Sequence, residues 1–151
     1  MLKVGEPVPD FALLNQDRKT VHMSDYRGKK VVMFAYPAAF TSGCTTQACG
    51  FRDQFPTLDA KNVVVLGISP DAPDKQLAWK QQEKLPYDLL SDEDHHVMEQ
   101  WGAWGEKTNY GKSYEGVIRS HWVIDEKGVL IDQKINVKPL DSVEKAVAAV
   151  V

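Results

Sequence analysis

Two cysteines, Cys44 and Cys49, are the residues of this 151-residue chain whose type and spacing best support chemistry. Cys44 follows the apolar run Val31–Tyr36 and stands in the expected first turn of a helix that begins near Thr41. The free backbone N–H groups and the positive end of the helix dipole favour a thiolate there. Because the thiolate is the nucleophilic form of cysteine, the position predicts a reactive Cys44; a small buried filler is the alternative.

The spacing of the two cysteines restricts how they can react with each other. Five positions on an ideal helix correspond to about 7.5 Å of rise and about 140° of rotation. The two Cα atoms would then lie on the order of 8.5 Å apart, beyond the roughly 7 Å that a disulfide spans. Cys44 and Cys49 can therefore join only if this part of the helix unwinds, which suits a transient catalytic bond. Two unrelated buried thiols are the other interpretation that the spacing allows.

Composition and charge exclude several classes of function. The 18 basic and 21 acidic residues give a net charge of −3, which leaves no positive surplus to attract nucleic acid or anionic lipid. The longest apolar runs, Val31–Tyr36 and Val63–Ile68, are far shorter than the roughly 20 residues of a membrane span. The start of the sequence shows no apolar stretch of signal-peptide length, which predicts a cytoplasmic location. We expect no nucleic-acid or membrane partner.

The apolar pattern predicts an α/β domain over residues 1–151. Short extended segments in Val8–Leu14 and Thr20–Met23 precede two strands, Val31–Tyr36 and Val63–Ile68, that read as buried on both faces, with a helix over 41–58 between them. The remaining expected elements are helix 74–84, strand 87–90, helix 92–101 capped by Ser91, a loop over 102–112, a hairpin over 121–135 and helix 140–150. This order fits a thioredoxin-like fold, a central mixed sheet with helices on both faces, without excluding other α/β folds.

The residues around Cys44 resemble the active-site signature of the peroxiredoxins. The segment Pro37–Cys44 matches the pattern Pro-x-x-x-Thr-x-x-Cys of that family. The gap of four residues to Cys49 is similar to that of the bacterioferritin comigratory protein (PrxQ) subfamily. The resemblance covers nearly the whole chain through four further segments: Gly5–Phe11, Val65–Asp71, Trp104–Lys107 and Arg119–Asp125.

The resemblance implies a thiol peroxidase with a thioredoxin-like fold. Cys44 would be the peroxidatic cysteine and Cys49 the resolving cysteine, while Thr41, Arg119 and Pro37 would line the peroxide pocket. The substrates would be hydrogen peroxide and organic hydroperoxides, which are reduced to water and alcohols. Thioredoxin or a glutaredoxin-like dithiol protein would reduce the disulfide. The chain would act as a monomer, with neither a cofactor nor a metal ion.

The chemistry of these side chains agrees with that interpretation. Arg119 keeps its charge and can hold both the thiolate and the oxygen on which negative charge develops. The Thr41 hydroxyl can orient the peroxide, and Pro37, which lacks an N–H, can shape and shield the pocket. Taken singly, Thr41 is more often a helix cap, and an arginine before a strand is more often a surface charge. Their joint fit to the signature favours the catalytic roles.

The sequence departs from the family pattern beside the expected pocket. Ala38 and Ala39 stand where a charged pair is usual, followed by Phe40, and Ser42 occupies a position where proline is frequent. None of these positions belongs to the signature itself. We therefore expect them to affect substrate preference and loop flexibility rather than the reaction.

Two other motifs carry less weight. Gly105–Ser113 resembles a phosphate-binding loop, but five residues instead of four separate its two glycines and no predicted strand precedes it. His95 and His96 are adjacent, so on a helix their side chains diverge by about 100° and do not favour a shared metal ion.

Two further functions stay open for the cysteine pair. One is a redox sensor or thiol-disulfide exchange protein, and the other is a thioredoxin-like module with inert thiols. Thr41 and Arg119 favour the peroxidase, because disulfide exchange needs no peroxide pocket. A Cys-x-x-Cys pair would favour the exchange protein, and the sequence has none.

Overall fold

The structure is a computed structural model that describes residues 1–151, except for the side chain at position 109. The strands and helices follow in this order: β1 (Ala12–Asn15), β2 (Thr20–His22), a 3-10 turn (Met23–Tyr26), β3 (Lys30–Ala35), α1 (Ser42–Ala60), β4 (Val63–Ser69), α2 (Pro73–Glu83), β5 (Asp88–Ser91), α3 (His96–Gln100), β6 (Trp104–Asn109), β7 (Lys112–Val117), β8 (Ser120–Ile124), β9 (Leu130–Ile135) and α4 (Pro139–Val150). Across the part of the chain so described, no helix has the length and apolar character needed to cross a membrane.

A seven-stranded mixed sheet, in the order β2-β1-β5-β4-β3-β8-β9, forms the centre of the fold. The two apolar runs of the sequence lie at its middle, where β3 and β4 pair in parallel. Strands covered on both faces have no solvent side, which is why these runs lack polar alternation. β8 pairs antiparallel with β3 on one edge and with β9 on the other. The predicted mixed sheet is therefore confirmed.

The strands bury a separate core on each face of the sheet. On one face, Phe34 stacks on Phe51 of α1 with ring centroids 4.8 Å apart, and Trp79 of α2 is buried in the same cluster. Helix α4 completes this layer through Val143 and Ala146. On the other face, α3, the N-terminal segment and Trp101 cover the sheet. Helix α1, which carries both cysteines, is thus held to the sheet by stacked aromatic rings.

Helix α1 begins directly beyond the carboxyl end of β3. The loop 36–41 connects the strand to the helix, and Thr41 is extended at φ −92° and ψ 152° before the first helical residue, Ser42. Pro56 lies inside the helix. Because proline lacks an N–H, position 56 donates no hydrogen bond to the carbonyl of Arg52.

The helix predicted over 92–101 is present but shorter than predicted, and its predicted Ser91 cap is wrong. Ser91 is the last residue of β5, where it pairs with Leu14, and α3 covers only His96–Gln100. The buried carboxylate of Asp92 accepts the amide hydrogens of the helix instead, at 2.9 Å from the nitrogen of Met98. Ser91 is therefore a strand residue and cannot cap the helix. The side chain of Asp92 accepts the free amides at the helix start in its place.

The segment 102–112 is not the predicted loop, because it contains β6 and the turn of a hairpin that β7 completes. β6 and β7 pair antiparallel, and the turn residues Tyr110 and Gly111 between them have φ angles of 51° and 76°. Two-residue hairpin turns need such positive φ angles, which glycine adopts readily. The glycines and polar residues that suggested a loop are the turn and strand residues of this exposed ribbon.

Candidate active site

Cys44 is buried in the first turn of α1, where it is 1% exposed. Thr45 donates the first i to i−4 hydrogen bond of the helix, to the carbonyl of Thr41 at 2.9 Å. The amides of Ser42, Gly43 and Cys44 precede that bond and point out of the helix end. They place partial positive charge beside the sulfur.

Arg119 brings its guanidinium to the sulfur from the connection between β7 and β8. Nη2 lies 3.5 Å from Sγ of Cys44, and Nη1 donates to Oε1 of Gln47 at 2.7 Å. A Cβ atom at position 43 would lie 3.1 Å from Nη2. Gly43 therefore leaves the room that the guanidinium needs to reach the sulfur.

Thr41 lies at the rim of the site, at the N-cap position of α1. Its hydroxyl donates to the carbonyl of Ala38 at 2.7 Å rather than capping the helix. Because its hydrogen is directed to Ala38, the hydroxyl oxygen keeps its lone pairs for an incoming O–H group. The Thr41 oxygen can therefore accept a further hydrogen bond at the rim of the site.

A cavity of about 590 Å³ opens beside Arg119, with Pro37 in its lining. One wall comes from β6 through Glu106, Lys107 and Thr108, and another from the segment 135–139 that leads into α4. The lining mixes charged and apolar side chains. The structure therefore places Pro37 and Arg119 at one cavity, and the unpredicted hairpin supplies part of its wall.

A buried polar network holds the loop between β3 and α1. Asp71 accepts the amide of Ala39 and the hydroxyl of Ser69, both at 2.8 Å. Gln76 donates to Ser69 at 2.9 Å and accepts from the hydroxyl of Tyr36. Burial raises the pKa of Tyr36 far above its ordinary value, so the phenol stays a donor. The network holds Tyr36 and Ala39, the residues on either side of Pro37 and Ala38 in this loop.

The residues that depart from the family pattern beside the signature have distinct conformations in this loop. Ala39 is buried, whereas Phe40 is 44% exposed and has a left-handed φ of 66°. Ser42 is the first residue of α1, a position that favours proline because the fixed φ of proline suits a helix start. These residues shape the loop beside the cysteine without contributing a charge to it.

A second buried polar chain extends from Arg119 through α1 to α4 and β8. Gln47 donates to Oγ of Ser142 at 3.0 Å, and that oxygen lies 2.7 Å from Nδ1 of His121. All three side chains are fully buried. Burial lowers the pKa of His121 to about 4, so the imidazole is neutral at pH 7, with Nε2 3.9 Å from Asp132. Three buried residues that sequence reasoning missed therefore support the guanidinium.

Cys49 lies five residues beyond Cys44 on α1 and is partly buried. Its thiol donates to Oε1 of Glu83, the last residue of α2, at 3.4 Å. Burial, followed by this hydrogen bond, raises the pKa of Cys49. Both cysteines are free thiols in an intact helix, as the spacing predicts for the reduced protein.

Asp92, Asp94 and His96 form a cluster on the opposite face of the sheet from α1. Their ligand atoms lie within 4.8 Å of one another. Nδ1 of His96 contacts both Asp94 and Asp92, and the hydrogen bond to Asp94 raises the pKa of His96. The carboxylate of Asp92 is also used by the amides at the start of α3. Ion pairing and helix capping account for the cluster.

A cysteine at a helix start, with an arginine at its sulfur and a threonine at the rim, on a mixed sheet, defines the class of thioredoxin-fold thiol peroxidases. Residues 4–133 match the AhpC/TSA family, and the chain belongs to that family. Within it, the chain is a peroxiredoxin of the Bcp (PrxQ) type, a thiol peroxidase with the two cysteines Cys44 and Cys49. The resemblance seen in the sequence is confirmed.

Two bacterial relatives are similar to this chain over most of their length. The putative peroxiredoxin bcp of Haemophilus influenzae is 52% identical over 130 residues, which cover 86% of this chain and 84% of the relative. Peroxiredoxin Bcp of Escherichia coli K12 is 47% identical over 127 residues, covering 84% and 81% of the two chains.

Solved structures agree with the fold. Peroxidoxin BcpB of Mycobacterium tuberculosis superposes with a TM-score of 0.88 at 32% identity, covering 99% of this chain and 97% of that one. The bacterioferritin comigratory protein of Xanthomonas campestris gives a TM-score of 0.90 at 23% identity, covering 98% and 97%. The predicted thioredoxin-like fold is therefore confirmed.

Proposed function

We propose that Cys44 is the peroxidatic cysteine of this peroxidase and that Arg119, Thr41 and Pro37 form its peroxide site. The observation that carries the proposal is the contact between Nη2 of Arg119 and Sγ of Cys44 at 3.5 Å, in a buried first helical turn. A cation and free amides directed at one sulfur favour the nucleophilic thiolate.

In the first step, the Cys44 thiolate attacks one oxygen of the peroxide. A sulfur–oxygen bond forms, the O–O bond breaks, and the leaving hydroxide or alkoxide takes up a proton to become water or an alcohol. Arg119 stabilises the negative charge that develops on the leaving oxygen. The Thr41 oxygen accepts a hydrogen bond from the O–H of the peroxide. Pro37 forms part of the pocket wall and, because it has no backbone N–H, adds no competing hydrogen-bond donor.

In the second step, Cys49 condenses with the sulfenic acid of Cys44. The Cys49 thiol loses its proton, the sulfenic hydroxyl leaves, and these two combine as water while the disulfide forms. An intact α1 keeps the two sulfurs apart, so this step requires local unwinding. A dithiol protein, thioredoxin or a glutaredoxin-like reductant, then returns both cysteines to thiols.

The cavity beside Arg119 offers room for the alkyl group of an organic hydroperoxide next to the reacting sulfur, although Cys44 and Thr41 do not themselves line it. Its volume of about 590 Å³ exceeds what hydrogen peroxide fills, and Ile118, Ile135 and Val137 offer apolar surface to an alkyl group. The Xanthomonas campestris relative has been studied for alkyl peroxide reduction, and we extend that substrate class to this chain.

We also propose that residues 1–151 act as one domain and as a monomer in the cytoplasm. Both cysteines, Arg119 and the residues that hold them come from one chain, so the cycle needs no second copy. A cycle that depends on a dithiol reductant suits a compartment that keeps thiols reduced.

The proposal is tested by peroxide consumption with thioredoxin as the reductant. Wild-type protein should turn over continuously, and Cys44→Ser should consume no peroxide above background. Mass spectrometry after an equimolar addition of hydrogen peroxide should show the Cys44–Cys49 disulfide. Normal consumption by Cys44→Ser would contradict the proposal. A wild-type protein that oxidises once and passes its disulfide only to a client protein would instead support the redox-sensor function.

A further inference from the structure

The end of α2 is attached to the part of α1 that carries Cys49. Glu83, the last residue of α2, makes two hydrogen bonds to α1. Its side-chain Oε1 accepts a hydrogen bond from the Cys49 thiol at 3.4 Å, and its backbone carbonyl accepts one from Nη1 of Arg52 at 2.7 Å. One turn earlier, the indole of Trp79 donates to the hydroxyl of Thr45 at 3.3 Å. One residue of α2 therefore holds two successive positions of the α1 face that must move during resolution.

The Cys49–Glu83 contact also determines the form in which the thiol is held. A carboxylate accepts a hydrogen bond from a thiol but repels a thiolate. The charged groups that face the sulfur are Arg52 and Asp53 on α1 and Glu83 on α2. Burial and the Glu83 contact outweigh the favourable charge of Arg52, so the pKa of Cys49 is raised. In the folded helix, Cys49 is both displaced from Cys44 and poorly nucleophilic.

We propose that Glu83 is a positioning residue that holds Cys49 in the folded helix as a protonated thiol and so delays its attack on oxidised Cys44. The inference rests on the proposed role of Cys49 as the resolving cysteine. Loss of the contact with Glu83 frees the thiol at the same moment as the helix unwinds.

Because Glu83 delays the attack of Cys49, two reactions compete for the sulfenic acid of Cys44. In one reaction, the Cys49 thiol displaces the sulfenic hydroxyl as water and the disulfide forms. In the other, a second peroxide transfers an oxygen to the sulfur, which becomes a sulfinic acid, and leaves as water or an alcohol. The slower the release from Glu83, the larger the fraction of protein that is over-oxidised at a given peroxide concentration.

Two substitutions separate the charge of Glu83 from its size. Glu83→Gln keeps an oxygen that can accept the thiol and removes the negative charge, whereas Glu83→Ala removes the acceptor as well. We expect disulfide formation to become faster in both variants, by roughly tenfold in Glu83→Ala, which corresponds to the loss of one hydrogen bond to a charged group. The rate of the first step at Cys44 should stay at the wild-type value. The over-oxidised fraction should fall.

The experiment combines rapid mixing with peroxide, acid quenching and mass spectrometry, which counts thiol, sulfenic, sulfinic and disulfide forms over time. Glu126→Gln, the same change at an exposed position in the β8–β9 turn, is the matched control. In a Cys44→Ser background, the pH dependence of Cys49 alkylation should move to lower pH in Glu83→Gln and stay unchanged in the control. General damage to the fold would also move that profile to lower pH by exposing Cys49, so Glu83→Gln must in addition keep the wild-type Tm and circular dichroism spectrum.

Equal or slower disulfide formation in both Glu83 variants would overturn the proposal, and so would an unchanged alkylation profile. A slower step would identify Glu83 as a support or proton acceptor for resolution instead. If wild-type protein forms no Cys44–Cys49 disulfide at all, the resolving role of Cys49 fails, while the alkylation profile still tests the contact with Glu83.

Discussion

Arg119 reaches Cys44 with one guanidinium nitrogen and is anchored by the other. Nη2 lies 3.5 Å from the sulfur, 75 positions away along the chain, while Nη1 donates to Gln47 at 2.7 Å. Gln47 lies one turn beyond Cys44 on the same helix. The flat guanidinium therefore bridges two positions of α1 that are one turn apart, and its orientation at the sulfur depends on both contacts.

Arg119→Lys should slow the first step of the reaction. A lysine ammonium keeps the charge but cannot contact the sulfur and Gln47 with two fixed nitrogens. Loss of one such stabilising donor costs roughly 3 kcal/mol, about 100-fold in rate. Single-turnover measurement of sulfenic acid formation checks this, with the exposed Arg18→Lys as the control. A wild-type rate would show that Arg119 is only a surface charge.

Gly43→Ala should separate stability from activity. Alanine is the better helix former by about 1 kcal/mol, so thermal stability should hold or rise. Its Cβ would stand 3.1 Å from Nη2 of Arg119 and push the guanidinium from the sulfur, so the first step should slow by about tenfold or more. Tm and single-turnover rate are measured on the same sample. A lowered Tm with an unchanged rate would argue against the steric role of Gly43.

His121 should make the protein less stable as the pH falls from about 6.5 to about 4. The folded state keeps the buried imidazole neutral, whereas the unfolded chain binds a proton below its ordinary pKa of 6.5, so protonation favours unfolding in this window. The full effect is roughly 3 kcal/mol. Urea unfolding of wild type and His121→Asn at several pH values isolates it, because the other groups titrate in both proteins. Parallel stability curves would contradict the prediction.

Cys49→Ser should stop the cycle after the first step. The variant should consume one equivalent of peroxide, accumulate sulfenic acid at Cys44 and then over-oxidise, because no thiol is available to condense with it. Intact-protein mass spectrometry follows each form. Continued turnover with thioredoxin would mean that the reductant itself attacks the sulfenic acid and that Cys49 is not required.

Oxidation of the wild-type protein should expose the amides of residues 45–52 to hydrogen exchange. The helix protects these amides in the thiol form, and the disulfide can close only after they separate from their partners. Exchange followed by mass spectrometry compares the two redox states. If protection is equal although the Cys44–Cys49 bond is present, the fold must bring the cysteines together without unwinding.

The predictable part of the site lies within short stretches of sequence. The buried run of β3 followed by a helix start locates Cys44, and the Thr41–Cys44 spacing belongs to one continuous segment. The same holds for the central strands β3 and β4, whose apolar runs have few alternative structures. Arg119 was linked to Cys44 only through the family resemblance, because nothing in its own surroundings distinguishes it from a surface arginine.

The supporting residues could not be predicted because their contacts join distant parts of the chain. Gln47 and Ser142 lie 95 positions apart, and Cys49 and Glu83 lie 34 apart. A buried glutamine or serine has no periodic signal that separates it from an exposed one. The β6–β7 hairpin was missed for a different reason: its turn-forming residues favour a loop until strand pairing is known.

Pro56 marks a position in α1 at which unwinding from the N-terminal end of the helix can stop. Because position 56 donates no hydrogen to the carbonyl of Arg52, the ladder of the helix is already interrupted just beyond the segment that holds the two cysteines. Unwinding that starts at Ser42 can stop at this gap, after about three of the roughly five turns. Leu58, which is fully buried, can then keep the C-terminal part of α1 packed on the sheet. Each catalytic turnover would then unfold only the part of α1 before Pro56, and this part would refold by extending the helical turns that remain.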